Sequence, residues 1–401
     1  MTKQEFRDRM KQRKLILDGA TGSNLQERGM PTGVCPEEWI LEHRDVLRDL
    51  QVEYILAGSD AVYAPTFSGN RLKLQEYGLQ DHLEEMNHDL VSISQEAIAE
   101  ARTRMRADLQ SQTGAVSAEE WQQMEEAAER PLYVVGDLTM TGQQVEPMGP
   151  LPFDELVDIY RQQIRALDAA GVDLLVVETM MSLQECRAAV IAAGEVCDLP
   201  VMVTLTFDED GRTLFGTDPE TAALVMTSMG VDAVGVNCST GPDQMCNVVR
   251  KMTRYADIPV VAKPNAGLPS LQGEKTVYDM DAPEYAEGMM ALVEAGADIL
   301  GGCCGTTPEH IAMLTSQLKE RKLMDSLTFP DREGNVIRRA LSNERNTLEI
   351  DLDGNFLVIG ERINPTGKKA LQAQLREGNL ELVTDFAEAQ EEAGALLFAL
   401  M

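Results

Sequence analysis

Residues 152–179 read PFDELVDIYRQQIRALDAAGVDLLVVET, and the change of period inside this stretch decides the fold. Up to Ala170 the apolar residues recur at helical spacing, on one face. Gly171 then stands where a helix closes on a left-handed residue. Beyond it, Asp173–Thr179 is apolar almost without interruption rather than in alternation, as expected of a parallel strand covered on both faces. Helix, glycine turn and buried strand form one unit of a parallel α/β protein.

The unit recurs along the chain. Eight stretches fit the strand pattern: Leu15–Ala20, Asp60–Thr66, Leu132–Leu138, Asp173–Thr179, Val201–Phe207, Ala233–Cys238, Val260–Asn265 and Asp298–Cys304. Eight such units in succession predict a (β/α)8 TIM barrel with right-handed crossovers. A doubly wound open sheet is the alternative, but no G-x-G-x-x-G follows the first strand. Residues 91–130 interrupt the rhythm as a charged helical insertion before strand three, expected to be a helical pair with a solvated face. The barrel domain is placed at residues 1–322 and a linker of turn-formers and charges at 323–350. Residues 351–401 read as strand, helix, strand, the incomplete start of a second α/β barrel. Too little chain is present there to bury its own apolar faces, so the final ALLFALM segment is expected to be mobile, packed on the barrel or paired between chains.

Composition narrows the function. Among 401 residues, 66 acidic side chains face 35 basic ones, a net charge of −31. That balance argues against nucleic acid and anionic membranes as partners. No run of about 18 apolar residues is present to span a bilayer, and the polar start MTKQEFRDRMKQRK lacks the apolar core of a signal peptide. Seven cysteines, an odd number without a secretion signal, do not read as a disulfide framework. A reducing, cytoplasmic setting is expected.

In such barrels the chemistry sits at the C-terminal ends of the strands. Those ends carry LDGATG (18–22 within it), APTF, GDLTMTG, VVET, GVNCS, KPNAG and GGCCG. Three thiols, Cys238, Cys303 and Cys304, fall on strands six and eight, whose tips can converge. Both members of the Cys-Cys pair reach one point only if the backbone kinks, which the flanking glycines permit. The thiols are either small buried packing or three ligands of a metal. Three thiolates without a fourth protein ligand describe a zinc site with an open position, the catalytic pattern, and soft sulfur selects zinc over magnesium or manganese. An open position suits a substrate thiol, whose ionisation the metal would favour. The four remaining cysteines, Cys35, Cys186, Cys197 and Cys246, are expected to be structural. Glu178 could pair with an α-amino group, or with a neighbouring Arg or Lys instead. Backbone N–H groups of the DGATG turn could hold an α-carboxylate, with Asp18 and Thr66 completing the cup, although Asp18 could equally cap its turn.

The motifs LDGATGSNLQERG, SDAVYAPTFSGNRLKL, VVETM, TFDEDGRTLFGTDP, GVNCSTGPDQM, KPNAGLP and ILGGCCGTTPEHI resemble, in order, the homocysteine S-methyltransferase family. Within it they are most similar to the N-terminal homocysteine module of cobalamin-dependent methionine synthases. The tail VIGERINPTGKKALQAQLREGNLELV resembles the start of the folate (pterin-binding) domain of those enzymes. The resemblance implies zinc on Cys238, Cys303 and Cys304 and homocysteine oriented by Asp18, Gly19, Ala20, Thr66, Glu178 and Asn237. It implies methyl transfer to the homocysteine thiol, giving methionine. The donor would be methylcobalamin, supplied from outside by a corrinoid-binding protein or module, with a folate module as a further partner. Betaine or a sulfonium is the rival donor, and a non-catalytic zinc- or homocysteine-binding fragment the rival class. Two features depart from the family. LTMTGQQVEP lacks the Gly-Pro usual after strand three. ALLFALM stands where the pterin domain has an Asp-Val-Asn type strand end, so folate is not expected to bind. No D-x-H-x-x-G cobalamin signature occurs, and His43, His82, His88 and His310 lie in other contexts.

Overall fold

The computed structural model describes residues 1–112, 116–272, 275–332 and 334–398. Its centre is an eight-stranded parallel sheet. The strands, one to eight, are Leu15–Ile16, Ala61–Tyr63, Tyr133–Leu138, Leu174–Met180, Val201–Leu205, Ala233–Asn237, Val260–Lys263 and Ile299–Leu300. Neighbours in sequence are neighbours in space from strand two through strand eight. Strand eight then pairs with strand one through Leu15↔Ile299, and a single parallel bridge, Leu17↔Ala61, completes the ring. This is the α/β TIM barrel expected. Strands one and eight are shorter than their apolar runs, because the residues beyond Ile16 and Leu300 leave the ladder to build the mouth.

The inside of the barrel is packed rather than open. Leu15, Leu17, Val135, Val176, Met202, Val261 and Ile299 meet in one buried cluster. Its lower end is closed by the helix Lys3–Met10, whose Phe6 and Met10 join that cluster. The helix is polar overall, and only these two large apolar side chains make it a plug. Around the same end, Asp60 takes Arg9 at 3.2 Å and Arg13 at 2.7 Å, with Arg130 at 3.4 Å. Asp298 likewise meets Arg332 at 3.0 Å and Lys14 at 3.8 Å. Buried carboxylates are tolerated only when matched in this way.

The insertion before strand three is a helical pair, Leu83–Ser111 and Ala118–Glu129. Leu83–Ser111 buries Ala97 and Ala101 against Val52 and Ile55, whereas Ala118–Glu129 buries Ala128 alone. The loop after strand seven folds into an antiparallel hairpin, Ser270–Gln272 with Lys275–Val277, which the sequence reading did not anticipate. No helix among the described residues is long and apolar enough to cross a membrane.

Most of the expected linker is not free chain. The Met324 carbonyl accepts from the Lys14 amide at 2.8 Å, and the Ile337 amide donates to the Arg254 carbonyl at 2.8 Å. Residues 342–347 then lie along the loop after strand five. Thr217 Oγ1 donates to the Glu344 carbonyl at 2.7 Å, and Arg212 reaches the Arg345 carbonyl and Asn346 Oδ1 at 3.1 and 2.9 Å. The chain accordingly divides into a compact unit of Met1–Arg338 with Ser342–Thr347 and a second of Arg339–Leu341 with Leu348 onward.

In the second unit, Ile359–Gly360 and Leu397–Phe398 pair in parallel, connected through helices Lys369–Arg376 and Glu381–Glu392. The expectation that the final ALLFALM segment is mobile, packed on the barrel or paired between chains is corrected for its described residues, which pair within their own unit. Its Leu397 and Phe398 pair with Ile359 and Gly360 of the same unit, and residues 399–401 lie outside the described part. Phe356, Leu396 and Phe398 stay exposed at 90%, 59% and 40%, so this unit has apolar surface left uncovered within itself.

Candidate metal centre

The three thiols converge. Cys238, Cys303 and Cys304 each bring their Sγ within 4.8 Å of the others. Cys238 follows strand six with its amide donating to the Lys263 carbonyl at 3.1 Å, and Cys303 follows strand eight with its amide on the Pro264 carbonyl at 2.8 Å. Strand seven, between them, therefore sets their separation. Of the glycines around the pair, Gly305 takes the left-handed backbone, and Gly301 and Gly302 do not. Cys238 and Ser239 themselves adopt left-handed backbone, φ 61° and 60°, and so does Gly305 after the pair, φ 80°. Gly302 is needed for space instead: a Cβ there would fall 2.3 Å from Thr306 Oγ1. That hydroxyl donates to the Cys303 carbonyl at 2.7 Å and accepts the Ala20 amide at 3.0 Å.

The donor set suits a metal. Hydrogen bonds from Cys238 and Cys303, with another from the Tyr278 hydroxyl, hold the Cys304 thiol down to about 3. Cys303 is pushed well up by giving hydrogen bonds to Cys238 and Cys304 and by burial. For Cys238 the Cys303 hydrogen bond pulls down, but Cys304 and burial prevail and bring it to about 11. One thiolate forms readily, and the next two form only against its negative charge. A cation among the three sulfurs removes that obstacle. Among the described residues this is the one cluster of three or more His, Cys, Asp or Glu ligand atoms drawn so close. The other four cysteines are free thiols away from it.

Beside the thiols a cavity of about 350 Å³ opens, walled by Asp18, Gly19, Ala20, Asp137, Glu178, Lys263 and the three cysteines. Lys263 Nζ stands 3.5 Å from Asp18 Oδ1 and 3.7 Å from Glu178 Oε2, and 3.4 Å above the Tyr63 ring. Burial disfavours its charge, yet Tyr63, Glu178 and Asp18 together outweigh burial and hold it as an ammonium. One ammonium faces three carboxyl groups. Asp18 and Glu178 are raised by burial, with Lys263 opposing. Asp137 is raised furthest above its usual range, by burial and then by Glu178. Asp18 Oδ1, Asp137 Oδ1 and Glu178 Oε2 are buried without a hydrogen-bond partner. A polar atom buried in that way is costly until a donor arrives. The cavity is therefore short of positive charge and of hydrogen-bond donors, both of which an α-ammonium supplies.

The residues singled out in the sequence separate into two groups. Asp18, Gly19, Ala20 and Glu178 line the cavity with the three thiols. Asp18 also holds the Tyr63 amide at 2.8 Å through Oδ2, and Glu178 has the lysine partner that was its alternative. The Ala20 amide is already given to Thr306, while the Gly19 turn approaches Tyr54 and Thr306 so closely that a Cβ would lie 2.6 Å from the Tyr54 hydroxyl. Thr66 and Asn237 do not reach the cavity wall. Thr66 Oγ1 donates to the Asp137 carbonyl at 2.9 Å and accepts its amide at 3.1 Å, stapling strand two's end to strand three. Asn237 Oδ1 takes the Thr179 amide at 2.9 Å. Lys263 and Asp137 were missed, although Lys263 ends the apolar strand VVAK and Asp137 is the last residue but one of YVVGDL, where an unmatched charge is not tolerated without a reason.

The mouth of the barrel thus sets three thiols that could hold a metal ion beside a cavity with more buried carboxyl groups than cations. The chain belongs to the homocysteine S-methyltransferase family, a family of methyltransferases, whose sequence pattern matches residues 15–318. It is 30% identical over 407 aligned residues to a methionine synthase of Mycobacterium tuberculosis, covering 98% of this chain and 31% of that protein. A methionine synthase of Mycobacterium leprae is 28% identical, covering 97% and 31%. The chain thus spans less than a third of these relatives. Among solved structures, the homocysteine methyltransferase MmuM of Escherichia coli in its metallated form shares the fold, with a TM-score of 0.59 and 20% identity. The superposition covers 76% of this chain and 96% of that one.

Proposed function

We propose that the barrel transfers a methyl group to the thiol of L-homocysteine, with a zinc ion held by Cys238, Cys303 and Cys304 and a methylcorrinoid as external donor. The observation that carries this reading is the single cavity in which the three thiols, the Asp137 oxygen that lacks a hydrogen bond and the Glu178 oxygen that faces Lys263 share one wall. Zinc on three thiolates lowers the pKa of a fourth sulfur and keeps it as a thiolate at neutral pH. The chain's own residues do the rest. Glu178 and Asp137 receive the α-ammonium, which fills the charge deficit around Lys263. The turn at Gly19 offers backbone N–H groups to the α-carboxylate. With both ends of the amino acid held, the sulfur is oriented before the donor arrives, which turns an encounter of two solutes into reaction of one bound pair. Attack of the sulfur on the donor's methyl carbon forms the C–S bond of methionine as the bond to the donor breaks.

A corrinoid donor is favoured over betaine because the match to methionine synthases runs through the tail, over 98% of the chain. Residues 351–401 are accordingly read as the beginning of a pterin-binding domain, and a corrinoid-binding module and a folate module as the partners. Seven free thiols suit a reducing cytoplasm. The test is metal analysis with X-ray absorption on the purified protein and on Cys303→Ala. About one zinc per chain, lost in the variant and gaining a sulfur neighbour when homocysteine is added, is the expected result. Turnover with free methylcobalamin and none with betaine should follow. Zinc-free protein prepared under reducing conditions with metal supplied, or turnover with betaine alone, would overturn the assignment.

A further inference from the structure

Strand four changes register at its catalytic end. Val177 pairs with Val203 and Met180 with Leu205, so Glu178 and Thr179 together oppose Thr204 alone. Such a bulge re-aims a side chain, and the one re-aimed is Glu178, in the cavity wall. Thr179 lies at φ 59°, a conformation that β-branched residues seldom adopt unless their surroundings impose it.

What imposes it is Asn237. Its Oδ1 accepts from the Thr179 amide at 2.9 Å and from Thr204 Oγ1 at 2.8 Å, and its Nδ2 donates to Thr179 Oγ1 at 2.8 Å. The same Nδ2 lies 4.0 Å from Cys303 Sγ. Its own carbonyl is held by Thr206 Oγ1 at 3.0 Å. The next residue in the chain is Cys238, also left-handed at φ 61°. On the other side, the Glu178 carbonyl is pinned by Thr139 Oγ1 at 2.9 Å. One fully buried amide thus grips the residue after Glu178 while being joined directly to a member of the thiol cluster.

We infer that Asn237 is a positioning residue that fixes the separation between Glu178 and the thiol centre, so that a ligand touching both binds far better than either of its halves. This rests on the proposed reading of the cavity as a homocysteine site. The physical basis is the gain of a two-ended ligand: once one end is bound, the other meets its partner at an effective concentration set by how rigidly the two sites are spaced. With the clasp cut, each half-site survives and the gain is lost. Asn237 touches neither half of the ligand, so its effect appears only when both are engaged.

The experiment uses the full chain loaded with cobalt(II), whose visible thiolate bands report sulfur ligation, and three ligands. Homocysteine engages both ends, 2-aminobutyrate the amino-acid end and 1-propanethiol the metal end. In Asn237→Ala and Thr179→Ala, homocysteine affinity should fall about tenfold or more. Affinity for the two halves should change less than about threefold, a small fraction of that loss. Thr179→Ser, which keeps the Oγ1 acceptor, should return homocysteine affinity close to that of the parent. Unchanged homocysteine affinity in both alanine variants, equal losses for homocysteine and the halves, or failure of Thr179→Ser to rescue would each overturn the inference. If the parent protein binds neither cobalt nor homocysteine, the homocysteine reading itself fails, and this inference with it; loss confined to the variants tests the clasp alone.

Discussion

Lys263 shows how a single residue sets the character of the site. It is the ammonium facing Asp18 and Glu178, and removing it strands two buried carboxylates. Lys263→Met should cost about 3–5 kcal/mol at pH 8, by the general penalty for breaking one side of a buried pair. Part of that loss should return at pH 5, where the stranded carboxyls take up protons; urea unfolding at the two pH values measures both effects. Asp137 behaves oppositely. Its pKa in the fold lies well above the ordinary 3.8, by burial first and then by Glu178. The folded state therefore binds its proton more tightly than the unfolded chain does. Stability from this source is complete below 3.8 and lost as the pH rises through the folded value. Asp137→Asn, whose amide has no acid proton to lose, should accordingly stabilise the protein at pH 7 by on the order of 1 kcal/mol or more, since each pKa unit of such linkage is worth about 1.4 kcal/mol. Little should change at pH 3.5, and homocysteine affinity should drop. Thermal unfolding at both pH values, with a binding titration, checks the trade. The cysteines were legible because their residue type announces soft-metal chemistry. Lys263 was not, and Asn237 was singled out for a contact with homocysteine rather than for its hold on Thr179, since both roles depend on which groups, distant in sequence, the fold sets opposite them.

At the scale of elements, the strands announced themselves as apolar runs because both faces of each are covered, and all eight fall where those runs lie. Their ends did not, since the mouth residues Asp18, Cys303 and Cys304 continue the run in sequence while leaving the ladder in space. The helix Lys3–Met10 carries a capping box of Thr2 and Glu5, yet nothing in its sequence marks it as the plug of the barrel. Two apolar residues among charges give too weak a stripe to reveal a buried face. Phe6 is 1% exposed, so Phe6→Ala should cost about 3–5 kcal/mol by transfer and cavity terms together. Denaturant unfolding should show that loss while metal stoichiometry stays unchanged, because the plug and the thiols occupy opposite ends of the barrel. The bulge in strand four and the hairpin after strand seven left no periodic trace at all.

At the scale of the molecule, the division of the chain falls later than composition suggested. Charges and turn-formers from 323 onward have the look of a linker, yet residues 342–347 are part of the barrel unit, held by Arg212, Thr217 and an Arg187–Glu344 pair at 3.6 Å. A chain ending at residue 347 should therefore unfold at a higher temperature than one ending at 338, by a few degrees, about 1 kcal/mol of clasping contacts. Calorimetry on the two shortened proteins decides it; equal midpoints would mean the segment merely rests on the surface. Composition also hides this because two of the contacts are made by backbone carbonyls, those of Glu344 and Arg345, and any residue carries a carbonyl.

The plug has a consequence for how the protein is made. Helix Lys3–Met10 is synthesised before every strand it closes, yet the cluster that Phe6 and Met10 join includes Met202, Val261 and Ile299, which leave the ribosome much later. Phe6 and Met10 must wait in solvent, or on a chaperone, until the ring exists. Docking of this helix then follows closure of the ring, and a nascent chain halted short of strand eight should leave the helix open to protease.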